Sequence, residues 1–285
     1  MSIDPTSNSA AETPGHFERA QCPICDRSPA SALAAPDPWR LAWCRECHFA
    51  YITNPPHYEA LTSEFEWERS ADAERLRRRS AHSRIGIVNV SVIAWLKRNY
   101  RTLTRRNKLR ALATRFGLSG DVIDVGCGDG NMWDSLPPGC APIGIELSPV
   151  LVRVARDRLE GKPGRLIEAD ALGGLRQIDG SSANGAILIS YLEHEANPSV
   201  AIRELRRTLR PGAIAILKMP NYASWNRVIR GARWCGFRFP DHVNYFTPRA
   251  LRRILERGGF EIVRFGFGDR PPTSDNMWCV ARVPR

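Results

Sequence analysis

The chain has 285 residues, 43% hydrophobic and 25% charged, enough for one full α/β domain and a smaller accessory unit around a buried core. Its formal net charge of +11 sits in one block: residues 69–116 hold 14 basic and 2 acidic side chains, whereas residues 1–68 hold 4 and 10. The longest apolar run, Ile85 to Leu96, is broken by Asn89 and Ser91 and falls short of the roughly 20 residues of a membrane span. The polar start lacks the basic and apolar sections of a secretory leader. A cytoplasmic chain is therefore expected, with the inner membrane face as a second location if the basic block meets lipid.

Four regions are predicted in order: a disordered tail (1–20), a zinc ribbon (21–62), a basic helical segment (63–116) and an α/β domain (117–285). Cys22-Pro-Ile-Cys25 and Cys44-Arg-Glu-Cys47 are separated by 18 residues, the spacing of paired zinc knuckles. Four thiolates close a tetrahedral site, so the zinc is expected to be structural and to hold together a segment too short to bury much apolar surface. His48 then packs or faces solvent. Cys127, Cys140, Cys235 and Cys279 show no paired spacing and read as reduced. Asn54-Pro-Pro-His57 is similar to the box that amino-methylating enzymes carry after a fourth strand, but here it precedes the glycine motif, which argues against an amine-binding role.

In the basic segment, Arg75, Arg77, Arg78, Arg79 and Arg84, then Lys97, Arg98, Arg101, Arg105, Arg106, Lys108 and Arg110, flank the apolar run that contains Trp95. Such a pattern can hold RNA phosphate, an anionic membrane surface or a phosphorylated substrate. It can equally be a solvated helical face covering a neighbouring site.

From Asp121 onward, Val122 to Val125, Pro142 to Ile145, Arg165 to Glu168, Ala186 to Ile189 and Ala213 to Leu217 read as parallel strands joined by crossover helices. Glu261 to Phe267 and Met277 to Val283 follow a helix over Pro248 to Arg257 and can pair as an antiparallel hairpin, giving seven strands. The first strand runs into Gly126-Cys-Gly-Asp-Gly130 just before a helical segment, and its glycines let a ligand approach the main chain. Twenty residues beyond Gly126, Glu146 ends the second strand, where a carboxylate can accept ribose hydroxyls. Asp170 follows the third strand, placed for an adenine amino group. The Gly-x-Gly-x-Gly spacing differs from the Gly-x-Gly-x-x-Gly of pyrophosphate sites. Asp124 and Asp129 suit a sulfonium and an amino acid end, which points to S-adenosylmethionine.

Val-Ile-Asp-Val-Gly-Cys-Gly-Asp-Gly, Gly-Ile-Glu-Leu-Ser, Glu-Ala-Asp-Ala, Glu-His and Leu-Arg-Pro-Gly together resemble the successive motifs of class I methyltransferases over about residues 105–285. The resemblance implies a doubly wound, seven-stranded Rossmann-like sheet of order 3-2-1-4-5-7-6 with the last strand antiparallel. It also implies cofactor contacts: Asp124, Gly126, Cys127, Gly128 and Gly130 to the methionine part, Glu146 and Leu147 at the ribose, Asp170 and Ala171 at the adenine, and Ser190 and Tyr191 near the donor methyl. The region from Glu193-His194 to Gly259-Phe260 looks like the branch of ubiquinone-pathway O-methyltransferases and of sugar- and lipid-methylating enzymes. A ribbon in front also resembles nucleotide-sugar C-methyltransferases, although their extra C-terminal domain has no counterpart here. The expected acceptor is a small-molecule, glycosyl or lipid-linked hydroxyl, with His194 or His242 as the base. Two alternatives stand beside it: an RNA base methyltransferase, since a zinc knuckle precedes the catalytic domain of certain ribosomal RNA enzymes, and a non-catalytic ribbon protein that binds nucleic acid.

Overall fold

The computed structural model describes residues 17–56 and 107–285. Most of the predicted tail and of the basic segment, with the apolar run around Trp95 and His57, lie outside the described residues. No helix among the described residues is long and apolar enough to cross a membrane.

Three short strands come first: β1 (Ser31–Leu33), β2 (Leu41–Cys44) and β3 (Phe49–Ile52). A helix α1, described over 107–115, leads into β4 (Gly120–Val125), followed by β5 (Cys140–Glu146), α2 (Pro149–Leu159), β6 (Arg165–Glu168), α3 (Ala171–Arg176) and β7 (Ala183–Ile189). Then come α4 (Pro198–Thr208), β8 (Leu209–Pro220), α5 (Trp225–Arg230), β9 (Asn244–Tyr245), α6 (Pro248–Arg257), β10 (Glu261–Arg264) and β11 (Asn276–Arg282). The large sheet has the order β10-β11-β8-β7-β4-β5-β6, and β11 runs antiparallel to both its neighbours. This is the expected 3-2-1-4-5-7-6 arrangement.

Helices cover both faces of that sheet. On one face Ile202 and Leu205 of α4 and Ala250, Leu251, Ile254 and Leu255 of α6 are buried with strand residues such as Ile123, Leu188 and Leu217. The i, i+1, i+4, i+5 spacing in α6 explains why that helix forms there. Thr247 caps its N-terminus by accepting from Ala250 N–H, and Pro248 opens the first turn. Each fully buried Leu or Ile contributes roughly 1.5–3 kcal/mol. On the other face Leu109, Leu112 and Ala113 of α1 meet Val122, Ile187, Ile216 and Val280.

Three local expectations are corrected. The glycine turn leads into a single 3₁₀ turn, Trp133–Ser135, and not a full helix, because Pro137, Pro138 and Gly139 stop the chain just before β5. The strand expected to reach Phe267 ends at Arg264, where the Asp269 carboxylate takes Gly266 N–H and the Arg264 guanidinium. The strand expected to begin at Ala213 extends back to Leu209 and has 12 residues.

The cysteine-rich segment forms a four-stranded sheet of order β1-β2-β3-β9. Its fourth strand comes from far along the chain: Ala50 pairs with Tyr245 and Tyr51 with Asn244. Side chains extend this seam. Thr247 Oγ1 donates to His48 O at 2.6 Å across 199 residues of sequence, Ser199 Oγ donates to Pro23 O at 2.5 Å, and Arg253 Nη1 donates to Glu46 O at 3.0 Å. His48, expected to pack or face solvent, also meets Arg249 through Nε2 at 3.1 Å.

Candidate active site and cysteine cluster

Parallel strands bring the C-terminal ends of β4, β5, β6 and β7 to one edge of the sheet. Leaving β4, Gly126 N–H and Cys127 N–H both donate to Ile145 O of β5, which fixes the turn to the neighbouring strand. Gly126, Gly128 and Gly130 have φ values of +68°, +58° and +71°, a region costly for other residues. A Cβ at Gly126 would lie 3.0 Å from the Tyr191 ring, one at Gly130 would lie 2.5 Å from the Trp133 ring, and one at Gly128 would meet nothing within 4 Å. The turn is thus walled on both sides and open in the middle.

Glu146 stands beside this opening. Its Oε2 accepts Gly128 N–H at 2.9 Å, and its Oε1 accepts Leu147 N–H at 3.0 Å and Ser148 N–H at 2.9 Å. Glu168 of β6 pairs with Glu146 in register, and two residues on Asp170 caps α3, its Oδ1 accepting Gly173 N–H at 2.7 Å. Ala171 is buried beneath it. Asp124 lies under the turn, fully buried, and accepts from Trp133 Nε1 at 2.8 Å. Burial pushes its carboxyl up to about 7, against the Trp133 hydrogen bond, and the nearby Glu146 charge adds to the rise. Cys127 is pushed further up by burial and the Asp124 and Glu146 charges, so it is an inert thiol packed against Trp133. Asp129, read as facing the ligand, spends its carboxylate on Asn131 and Arg158.

Across the same edge, β7 runs out into Ser190, whose φ of +63° is strained for a side chain bearing a Cβ. Ser190 Oγ accepts from Lys218 Nζ at 2.6 Å. Lys218 is buried within β8; a lysine inside the run Ala-Ile-Leu-Lys-Met is the signal by which the sequence could have revealed it. Tyr191 donates its hydroxyl to Glu195. Beyond Leu192, Glu193 and His194 meet His242 from the late loop, the two imidazoles packing edge to face at 4.7 Å. His194 Nδ1 lies 3.0 Å from Asp241 Oδ1 and 2.9 Å from Asp241 O; His242 Nδ1 lies 2.8 Å from Gly236 O. Arg238 pairs with the other Asp241 oxygen at 2.6 Å.

Burial pulls His194 down, but the Asp241 charge and hydrogen bond, helped by Glu193, outweigh it and leave the imidazole above its ordinary value. His242 is held well below its own by burial and then by the His194 charge. Burial would raise Asp241, yet His194, Arg238 and His242 together leave it below the usual carboxylate range. The segment is clamped from behind. Val243 N–H and Asn244 N–H both donate to Glu193 O, and Asn244 Nδ2 donates to Leu192 O at 2.8 Å and Glu195 O at 2.6 Å. Asn244 Oδ1 accepts from Arg19 Nη2 at 2.8 Å. Asn244 and Asp241 were missed as site residues because nothing in their local spacing marks them.

The sulfurs of Cys22, Cys25, Cys44 and Cys47 all lie within 4.8 Å of one another, with three residues buried, Cys25 partly so, and all four reduced. Cys25 Sγ and Cys44 Sγ are 3.6 Å apart, close to the roughly 3.8 Å edge of a tetrahedron with Zn–S bonds of about 2.3 Å. The hydrogen bond to Cys47, against burial, lowers Cys22 to about 5, while burial raises Cys44 to about 11. The donor set fits a soft divalent ion. Asn54, of the Asn-Pro-Pro stretch, is structural: its Oδ1 accepts Arg40 N–H and its Nδ2 donates to Pro38 O.

A doubly wound sheet of this order, with a walled glycine turn and a carboxylate at the next strand end, defines a Rossmann-like methyltransferase fold. The methyltransferase-domain family profile matches residues 96–264, more than half of the chain, and the chain belongs to this family of class I S-adenosylmethionine-dependent methyltransferases. It is similar to an uncharacterised 37.1 kDa protein in transposon TN4556 of Streptomyces fradiae, at 36% identity over 41% of this chain and 34% of that protein. A ubiquinone biosynthesis O-methyltransferase of Xanthomonas euvesicatoria is 27% identical over 54% of this chain and 69% of its own length. A tRNA (carboxymethyluridine(34)-5-O)-methyltransferase of Arabidopsis thaliana is 33% identical over 35% and 24%. The chain thus spans about a third of the Streptomyces relative and a quarter of the Arabidopsis one. Among solved structures the [4+2]-cyclase SpnF superposes with a TM-score of 0.50 at 21% identity, over 62% of this chain and 81% of that one, a likeness of fold.

Proposed function

We propose that this methyltransferase transfers the methyl group to a hydroxyl of a small-molecule, glycosyl or lipid-linked acceptor. In this reading Gly126, Gly128 and Gly130, with Asp124 and Cys127 beneath them, hold the methionine part. Glu146 and Leu147 meet the ribose, Asp170 and Ala171 the adenine, and Ser190 and Tyr191 flank the donor methyl. The fit rests on the open space over Gly128 beside a carboxylate already fixed by three backbone N–H groups. S-adenosylmethionine supplies an activated methyl group on a sulfonium.

The chain's own contribution is alignment, which can account for roughly 7–11 kcal/mol of barrier, and removal of the acceptor's proton, a factor of about 10²–10⁴ for a hydroxyl. The observation that carries the hydroxyl assignment is the meeting of Glu193, His194 and His242 at the end of β7. A proton released there has receivers, which a ring-nitrogen acceptor with its own free lone pair would not require. The O-methyl names of the Xanthomonas and Arabidopsis relatives support this class. The four cysteines hold a structural Zn²⁺, the ribbon and the α/β domain act as one catalytic unit, and the basic segment 69–116 faces an anionic surface, of membrane or RNA, on the cytoplasmic side.

Calorimetric titration with S-adenosylmethionine and separately with NAD, on the native chain and on Glu146→Ala, tests the cofactor site. Saturable binding of S-adenosylmethionine alone, weakened at least tenfold by the substitution, is expected. Labelled methyl transfer is then offered phenolic, glycosyl and polyprenyl-linked hydroxyl acceptors beside bulk tRNA. Label in tRNA bases alone overturns the acceptor class, and NAD binding alone overturns the cofactor assignment.

A further inference from the structure

We infer that Lys218, acting through Ser190, sets a preference of the acceptor site for oxygen over nitrogen: it is a positioning residue whose charge makes the Ser190 hydroxyl a donor toward the acceptor atom. The inference deepens the hydroxyl-acceptor reading above and rests on it. Lys218 stands two residues before the end of β8 and is 4% exposed, between the fully buried Leu217 and Met219. A methionine would fill that place without the cost of taking a charge out of water. The charge is directed to the edge of the site instead. Nζ donates to Ser190 Oγ at 2.6 Å, and Lys218 O accepts Ser190 N–H at 2.7 Å, so two bonds tie the lysine to the residue just past β7.

Ser190 is partly exposed. The next side chain, Tyr191, reaches the glycine turn, its ring 3.0 Å from where a Cβ on Gly126 would lie, which places the serine hydroxyl between the turn and the histidine pair. A lysine ammonium has three donors and no acceptor. Ser190 Oγ is therefore the accepting partner, and its own proton remains to be given onward. An ionic donor polarises the hydroxyl that accepts from it, which strengthens that hydroxyl as a donor and weakens it as an acceptor. The acceptor atom feels the difference. A hydroxyl oxygen has two lone pairs, one for the methyl carbon and one for the Ser190 proton, with its O–H turned to the histidines. An amine nitrogen has a single lone pair; once that is aimed at the methyl carbon, only N–H bonds remain to face Ser190, and donor meets donor beside a positive charge. In the favoured case the O–H bond breaks, the proton passes to the histidine pair, and the oxygen lone pair forms the new O–CH₃ bond as the S–CH₃ bond breaks. Ser190 and Lys218 keep their protons throughout.

The test is binding, read without turnover, on the zinc-loaded full chain saturated with S-adenosylhomocysteine. Catechol and its diamine isostere 1,2-diaminobenzene are titrated calorimetrically into the native protein, Lys218→Met and Lys218→Arg. The native protein is expected to hold catechol about tenfold more tightly than the diamine, and Lys218→Met to hold the two within about threefold. Lys218→Arg, which keeps the charge, should restore most of the preference, and unchanged affinity for S-adenosylhomocysteine separates the effect from a general loss of structure. A second measurement needs only the native protein: the ultraviolet spectrum of bound catechol should show ionisation roughly one pH unit below that of free catechol. Equal binding of the two probes, binding of neither, a preference that survives in Lys218→Met, or ionisation no lower than in free catechol overturns the role of Lys218. Failure of the function reads differently. A protein whose catechol preference follows Lys218 but which methylates only RNA bases loses the acceptor class and keeps the couple; one that methylates hydroxyls while binding both probes alike loses the couple and keeps the class.

Discussion

The glycine turn and the Glu193–His194–His242 cluster stand at the same edge of one sheet, yet they are assembled in opposite ways. The turn and its carboxylate come from adjoining strands, with Gly126 and Glu146 tied through Ile145 O and Gly128 N–H. The cluster needs the loop before α6, the end of β7 and, through Asn244, the arginine at position 19. A ligand site made of sequence neighbours tolerates damage elsewhere; one made by convergence inherits the stability of everything that converges on it.

The largest expected break in this comparison is Cys47→Ser. It opens the four-sulfur site, whose apparent zinc binding can reach about 10–16 kcal/mol, and with it the support of β3 and its pairing to β9. A stability loss on the order of 5 kcal/mol is expected by urea unfolding, while affinity for S-adenosylmethionine stays within about threefold in the residual folded protein. A parallel collapse of cofactor affinity would show that the two halves are one cooperative unit.

Next is Asp124→Asn. The carboxyl of Asp124 is raised from 3.8 to about 7 in the fold, so the folded state holds its proton more tightly than the unfolded chain. Stability is full below pH ~4 and is lost as pH rises through ~7, by roughly 4 kcal/mol at most. The amide variant keeps a hydrogen-bond acceptor for Trp133 and lacks the titration. In the ligand-free state it should overtake the native protein in stability between pH 5 and 8, and identical pH slopes by chemical unfolding would refute the buried charge. The smallest effect is Asn244→Ala, which removes three side-chain hydrogen bonds and should cost about 2 kcal/mol. It should lower kcat with little change in cofactor affinity, which would sharpen the separation of the two halves.

The legibility of the sequence follows the same division. The β-branched runs, the Gly-x-Gly-x-Gly turn, Glu146 and the capped helix over Pro248–Arg257 were readable because each is set by local spacing. The sheet order came from resemblance and is the order observed. The paired cysteine knuckles were likewise visible. The partnership of His194 with Asp241, the role of Asn244 and the buried Lys218–Ser190 contact were not, since each depends on which segments meet in space. The two histidines were read as alternatives, one base or the other, whereas they pack against each other. The short 3₁₀ turn after the glycines was misread because the two prolines ahead of β5 outweigh the helical composition of the residues between.

The borrowed strand β9 also constrains the order in which the chain can be made. During synthesis β3 emerges early, and its outer edge waits for Asn244 and Tyr245, most of two hundred residues later. Until then its backbone N–H and C=O groups are unpaired, the condition that invites pairing with a foreign strand. A fragment ending before residue 244 would carry that open edge permanently and should be prone to association even with zinc bound, whereas the finished chain closes it with its own late segment.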